Sequence, residues 1–166
     1  FIRWQVRYQQ SGVLLDGKRV KLNPELSERC MRGEDLCLFP YLFARRGCRY
    51  VEEAFYCTAA QWLRRRVKHL VGSNMSMSRA DLIAINGFDE HYQLPATGED
   101  YDIEWRMIAH GAKIISLRNL AVQYHLYHKE NWDKEAQAVN MSYCREQQAK
   151  NAIVCCEGIN QYICRK

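Results

Sequence analysis

Residues 71–128 read VGSNMSMSRADLIAINGFDEHYQLPATGEDYDIEWRMIAHGAKIISLRNLAVQYHLYH, and the stretch turns on Gly98-Glu99-Asp100, where a loop gives way to a helix. The spacing predicts a helix from Asp102 to Ala109. Ile103, Met107 and Ile108 fall on one apolar face, and Gly111 stands where a left-handed stop belongs. Two carboxylates then sit at a helix N-terminus, where unpaired N–H groups and the macrodipole favour negative charge. Such a setting lowers a carboxylate pKa, and an ionised carboxylate at a loop mouth suits a general base. Helix capping accounts for the same residues, since acids are ordinary in a first turn; on these residues alone it is the simpler account.

Outward from that pair, Val71–Met77 predicts a strand ending at Ser78, which caps a helix over Arg79–Ile85. Asn74 inside the strand needs a partner if buried: a hydrogen bond to the loop holding Glu99, or contact with a ligand hydroxyl. Asn86-Gly87 is a turn signal, with Phe88 expected to plug the core and Asp89-Glu90 to cap and solvate the turn. Residues 113–117 and 120–125 read as strands that deliver His125 and His128. An H-x-x-H pair on extended chain can offer two imidazole nitrogens to a divalent metal, although a lone histidine is usually a satisfied polar group.

Taken together, Gly72-Ser73-Asn74-Met75-Ser76, Asn86-Gly87-Phe88-Asp89-Glu90, Gly98 to Arg106 and Tyr124 to His128 resemble the inverting family 2 glycosyltransferases. The likeness is to members with a GT-A fold and a galactosyltransferase-like C-terminal half, and it is dense over 71–131. It implies a partial GT-A domain: α/β and Rossmann-like, with a mixed sheet and flanking helices. By this resemblance Asp100 is the base that deprotonates the acceptor hydroxyl, and Glu99 beside it contacts the acceptor. The same likeness implies substrate contacts at Asn74, Gly98, Asp102 and Arg106. It also implies a late metal ligand at His128, with His125 second, for Mn²⁺ or Mg²⁺. The implied partners are a nucleotide diphosphate sugar donor and a saccharide or glycolipid acceptor. The setting it implies is surface polysaccharide or lipopolysaccharide synthesis in the cytoplasm, at the inner face of a membrane through peripheral association. A truncated, non-catalytic saccharide-binding domain is the alternative.

Gly17-Lys18-Arg19-Val20 resembles the segment that follows the sugar-nucleotide half in these transferases. No D-x-D usable as a metal motif precedes it, and Asp100 with Asp102, which has that spacing, belongs to the later motif. The expectation is therefore a fragment that starts just downstream of the donor half, consistent with the missing initiator Met. Relatives often carry an aromatic G-W-G turn before the acidic pair; Pro95-Ala96-Thr97-Gly98 stands there instead, which leaves the acceptor without that tryptophan.

The 166 residues suffice for one domain with a core, 48% apolar and 26% charged residues are ordinary for a globular chain, and no apolar run approaches the ~20 residues of a spanning helix. Net charge is +5, with one basic cluster at Arg64-Arg65-Arg66, Lys68 and His69. Read as a solvated helix face without a base-reading motif, it argues for no nucleic-acid partner. The 8 cysteines show no C-x-x-C spacing and read as reduced, core-filling residues of a cytosolic protein.

Residues 1–10 read as a helix with Ile2 and Val6 on one side, followed by short strands around Asp16-Gly17. Asn23-Pro24 opens a helix that Gly33 closes. A helix near 36–46, a strand near 48–56 and a helix over 58–69 follow. The tail, 132–166, is expected to be helical over 134–149 and docked by Trp132, Tyr143 and Ile153.

Overall fold

A computed structural model describes residues 1–34, 47–59 and 69–163. The helix expected near 36–46 and all but the ends of the one expected over 58–69, with Arg64–Arg66, Cys37 and Cys164, lie outside the described residues. The architecture is mixed α/β: a mixed sheet and a parallel strand pair, flanked by helices.

Val13–Asp16 (β1) is the middle strand of the first sheet. It pairs antiparallel with Met75–Ser76 (β3) and parallel with Lys113–Ser116 (β4). Its unbroken apolar run is explained by burial on both sides. Val13 and Leu15 pack with Trp4, Leu117 and Leu120, while Leu14 packs with Ile85, Ile103 and Met107. Lys18–Lys21 (β2) pairs parallel with Val122–His125 (β5) in a second sheet, and Val20 and Leu22 join Leu26 and Ala54 beneath it.

One residue, Gly17, separates β1 from β2, whereas the partner path makes a turn through 117–121 between β4 and β5. The ladder cannot continue across that mismatch, and Asn74 fills the step. Its carbonyl accepts from the Gly17 amide at 2.7 Å, and its side-chain amide donates to the carbonyls of Lys18 at 2.7 Å and Ala121 at 2.9 Å. A Cβ on Gly17 would overlap the Asn74 side chain, so the close approach requires glycine.

Several helices start and stop as expected. Ile2–Tyr8 forms α1. Asn23 caps Pro24–Met31 (α2) through Leu26 N–H, and Ser78 caps Arg79–Ala84 (α3) through Asp81 N–H. Glu99–Ala109 (α4) ends in a Schellman turn. Gly111, at φ 102°, donates to Ile108 O while Ala112 donates to Met107 O. Lys134–Ala149 (α5) is capped by Asp133, and Asn160–Ile163 forms α6.

Other expectations need correction. In α1 the buried side chain is Trp4, while Ile2 and Val6 are exposed. Ile108 is exposed as well, which narrows the apolar face of α4 to Ile103 and Met107. The strand expected near 48–56 is a single bridge from Arg49 to Lys21 followed by a 3-10 turn over Val51–Ala54; Tyr50, at φ 59°, takes the chain out of extended geometry. The strand expected over 71–77 shortens to Met75–Ser76, because Gly72–Asn74 coils into the 3-10 turn that brings Asn74 to the step. Of the tail's expected anchors, Ile153 packs on the core and Tyr143 donates to Asp89 at 3.0 Å, but Trp132 is exposed. The described cysteines are free thiols, with Cys144 and Cys155 buried. No helix among the described residues is long and apolar enough to cross a membrane.

Candidate active site

Asp100 lies in the first turn of α4, half-buried, and its Oδ2 accepts the Gly72 amide at 3.0 Å. It faces an open hollow of ≈ 430 Å³ whose wall includes Arg19, Ser73, Phe88, Thr97 and Glu99. Two elements build this geometry: the α4 terminus projects the carboxylate, and the 3-10 turn before β3 presents one amide to orient it. Arg19 reaches the hollow from β2, where its guanidinium donates to Ser73 Oγ at 3.1 Å. Gln123 of β5 completes that edge by donating to Ser73 O.

Glu99 stands exposed on the rim, and its carboxyl is pushed above the usual range, not below it. Desolvation by the adjoining wall is the main cause and the Asp100 charge adds to it, while the backbone amide of Glu99 opposes both. The depression expected from the helix terminus is thus outweighed at this residue.

Phe88 was expected in the core and is 41% exposed, forming part of the hollow. Positive φ at Asn86 and Gly87 turns the chain, and the tail occupies the inside of that turn. Ile159 donates to Asn86 O at 2.9 Å, its side chain abuts Gly87, and Asn86 Nδ2 donates to Cys155 O. Asp89, expected to solvate the turn, is buried and accepts from His91 N–H and Tyr143 O–H.

The residues expected to touch substrate lie behind this wall. Asn74 is 1% exposed, and its side chain is committed to Lys18 O, Ala121 O and Gln5 Nε2, not to the Glu99 loop. Gly98 is buried; a Cβ there would press on Asn140 and Tyr92, so it is glycine for packing. Asp102 and Arg106, each 1% exposed, form an ion pair at 2.6 Å, and Arg106 donates to Ile85 O at 2.9 Å and Gly87 O at 2.8 Å. Burial pushes the Asp102 carboxyl up although Arg106 opposes it. This pair is an internal strut for the turn that carries Phe88. None of these four reaches the hollow with a side chain.

His125 and His128 come together with ring centres 5.0 Å apart, lining a separate hollow of ≈ 260 Å³ with Lys21, Arg49 and Glu130. Burial depresses the His125 pKa, with Arg19 and His128 contributing. Glu130, the nearby acid, is tied to Lys21 at 2.6 Å and Arg49 at 3.8 Å. Among the described residues no group of three or more His, Cys, Asp or Glu could hold a metal ion. Two imidazoles in a cationic setting do not by themselves fit Mn²⁺ or Mg²⁺, which take mainly oxygen ligands.

Sheet, helix terminus and hollow define a mixed α/β domain with an acidic pair at the mouth of an open cleft. Residues 53–129 match the family described as the N-terminal domain of galactosyltransferase, which supports a galactosyltransferase-like glycosyltransferase domain. A domain of that kind works between a sugar donor and an acceptor. Comparison with curated proteins and with solved structures gives no match.

Proposed function

We propose that this chain is the acceptor-side part of an inverting, GT-A-type glycosyltransferase that moves a sugar from a nucleotide diphosphate donor to a saccharide hydroxyl. Asp100 is the base. The acceptor oxygen attacks the anomeric carbon from the face opposite the diphosphate and passes its proton to the Asp100 carboxylate. The bond from the anomeric carbon to the diphosphate oxygen breaks with its electron pair leaving on the diphosphate. Orientation of both partners supplies much of the acceleration, because nucleophile and leaving group must lie in line. Glu99 contacts the acceptor from the rim.

The observation that carries this reading is Asp100 itself: an acid oriented by one backbone amide and turned to a hollow large enough for a sugar ring. Arg19 adds support, since it joins this hollow to a neighbouring one of ≈ 350 Å³ lined by Lys18, Lys21, Tyr50, Val71 and Glu53, whose carboxylate is paired with Arg118, which leaves three cations along a path for a diphosphate. The test is Asp100→Asn in the full-length enzyme. Turnover should fall by roughly a hundredfold or more with donor binding retained; wild-type turnover would remove Asp100 from the mechanism.

A further inference from the structure

Residues 69–72, which lead into the hollow, are held one backbone group at a time by charged side chains. Lys18 Nζ donates to His69 O at 2.9 Å, and the Leu70 amide donates to Glu104 Oε2 at 3.1 Å. The Gly72 amide donates to Asp100 Oδ2, and Lys18 is itself anchored on the Asp16 carboxylate, whose Oδ1 accepts from Nζ at 3.4 Å. Asp100 and Glu104 stand four apart on one face of α4, so a single helix grips the segment at Gly72 and at Leu70. Asp16 supports it from another element, at the end of β1, through Lys18.

Asp16 is fully buried. Its Oδ2 lies 3.3 Å from Lys18 Nζ and meets no hydrogen-bond donor in good geometry. The charged groups facing it are Lys18 from β2 and Glu104 from α4. Burial pushes its carboxyl up to about 6, Lys18 opposing and Glu104 adding. A buried acid so poorly partnered works against the fold, and such groups collect where a structure holds something in a set geometry. What Asp16 holds is Lys18, whose Nζ grips the carbonyl of His69 at the start of the segment that orients Asp100.

We propose that Asp16 and Glu104 are positioning residues for Asp100. Glu104 holds the Leu70 amide and Asp16 anchors the Lys18 ammonium that holds the His69 carbonyl; together they fix the segment leading into the Gly72 peptide and through it aim the Asp100 carboxylate at the hollow. The importance of that aim rests on Asp100 being the base, but the geometry can be tested without turnover.

The experiment uses the full-length protein labelled with ¹⁵N and ¹³C, reading hydrogen exchange of the Gly72 amide and the carboxyl ¹³C resonance of Asp100. In Asp16→Asn, which removes the charge that holds Lys18, and in Glu104→Ala, which removes the acceptor of the Leu70 amide, Gly72 exchange should rise on the order of tenfold and the Asp100 resonance should move, while β1 and β4 amides keep their protection. Glu104→Gln, which retains an acceptor for the Leu70 amide, should restore both signals. Unchanged Gly72 exchange and Asp100 resonance in folded Glu104→Ala would overturn the proposal, as would a Glu104→Gln variant no better than Glu104→Ala. Loss of fold in Asp16→Asn counts against the role given to Asp16, because a neutral isostere relieves a buried charge. Should Asp100→Asn retain full turnover, the base assignment fails while the resonances still decide the positioning.

Discussion

The amide of Gly72 and the Oδ2 of Asp100 meet at 3.0 Å, joining the turn before β3 to the first turn of α4. The approach is so close that a Cβ at residue 72 would overlap the carboxylate. Gly72→Ala is therefore expected to displace Asp100 while leaving the core intact. Turnover should fall by about a hundredfold, the scale of a misplaced catalytic group. Steady-state kinetics beside a thermal melt separates this from unfolding; wild-type turnover in a folded variant would show that the orientation is dispensable.

Asn74 gives the opposite expectation, a stability effect without a binding effect. Asn74→Ala leaves the carbonyls of Lys18 and Ala121 without their buried donor. The loss should be about 3 kcal/mol in denaturant unfolding, because buried groups left unpaired carry their full desolvation penalty. KM for donor and acceptor should stay unchanged in the folded fraction. A large rise in KM with little loss of stability would return Asn74 to the binding site.

Asp16 predicts a pH dependence of stability. Its folded pKa, about 6, lies above the ordinary 3.8, so between those values the native state binds more protons than the unfolded one. Stability from this group is accordingly present below about pH 4 and is lost as pH rises through about 6, by about 3 kcal/mol. Asp16→Asn should flatten that part of the stability profile and raise stability at pH 7. An unchanged profile in the variant would mean that Asp16 titrates normally.

The helix carrying the acidic pair was legible because its signals are local: Ile103 and Met107 on one face, and Gly111 at the stop. The caps Asn23 and Ser78 were legible for the same reason, since each bonds an amide three residues on. What escaped depends on partners distant in the chain. Asn74 reads equally as a bond to the Glu99 loop or as a ligand contact, because its acceptors, residues 18 and 121, are known only once two strand paths fall out of step. Asp102 and Arg106, spaced i, i+4, have the pattern of a solvated pair; only the carbonyls of Ile85 and Gly87 make them an internal strut. No local pattern could place Phe88 outside, since Ile159 in the tail fills the inside of its turn.

Phe88 supplies the last test. Exposed at the hollow that Glu99 and Asp100 also line, it offers an aromatic face to whatever enters. A sugar ring presents apolar C–H faces that can lie on such a surface. Phe88→Ala should thus change stability by no more than about 1 kcal/mol, whereas a core phenylalanine would cost about 3–5 kcal/mol. The KM for the acceptor should rise roughly three- to tenfold, the scale of one aromatic contact, with the KM for the donor held constant. Unfolding curves and initial rates on the same preparation check both halves. A variant that melts early with its acceptor KM intact would put Phe88 back among the packing residues and leave Met75 and Ala96 as the apolar side chains of the wall.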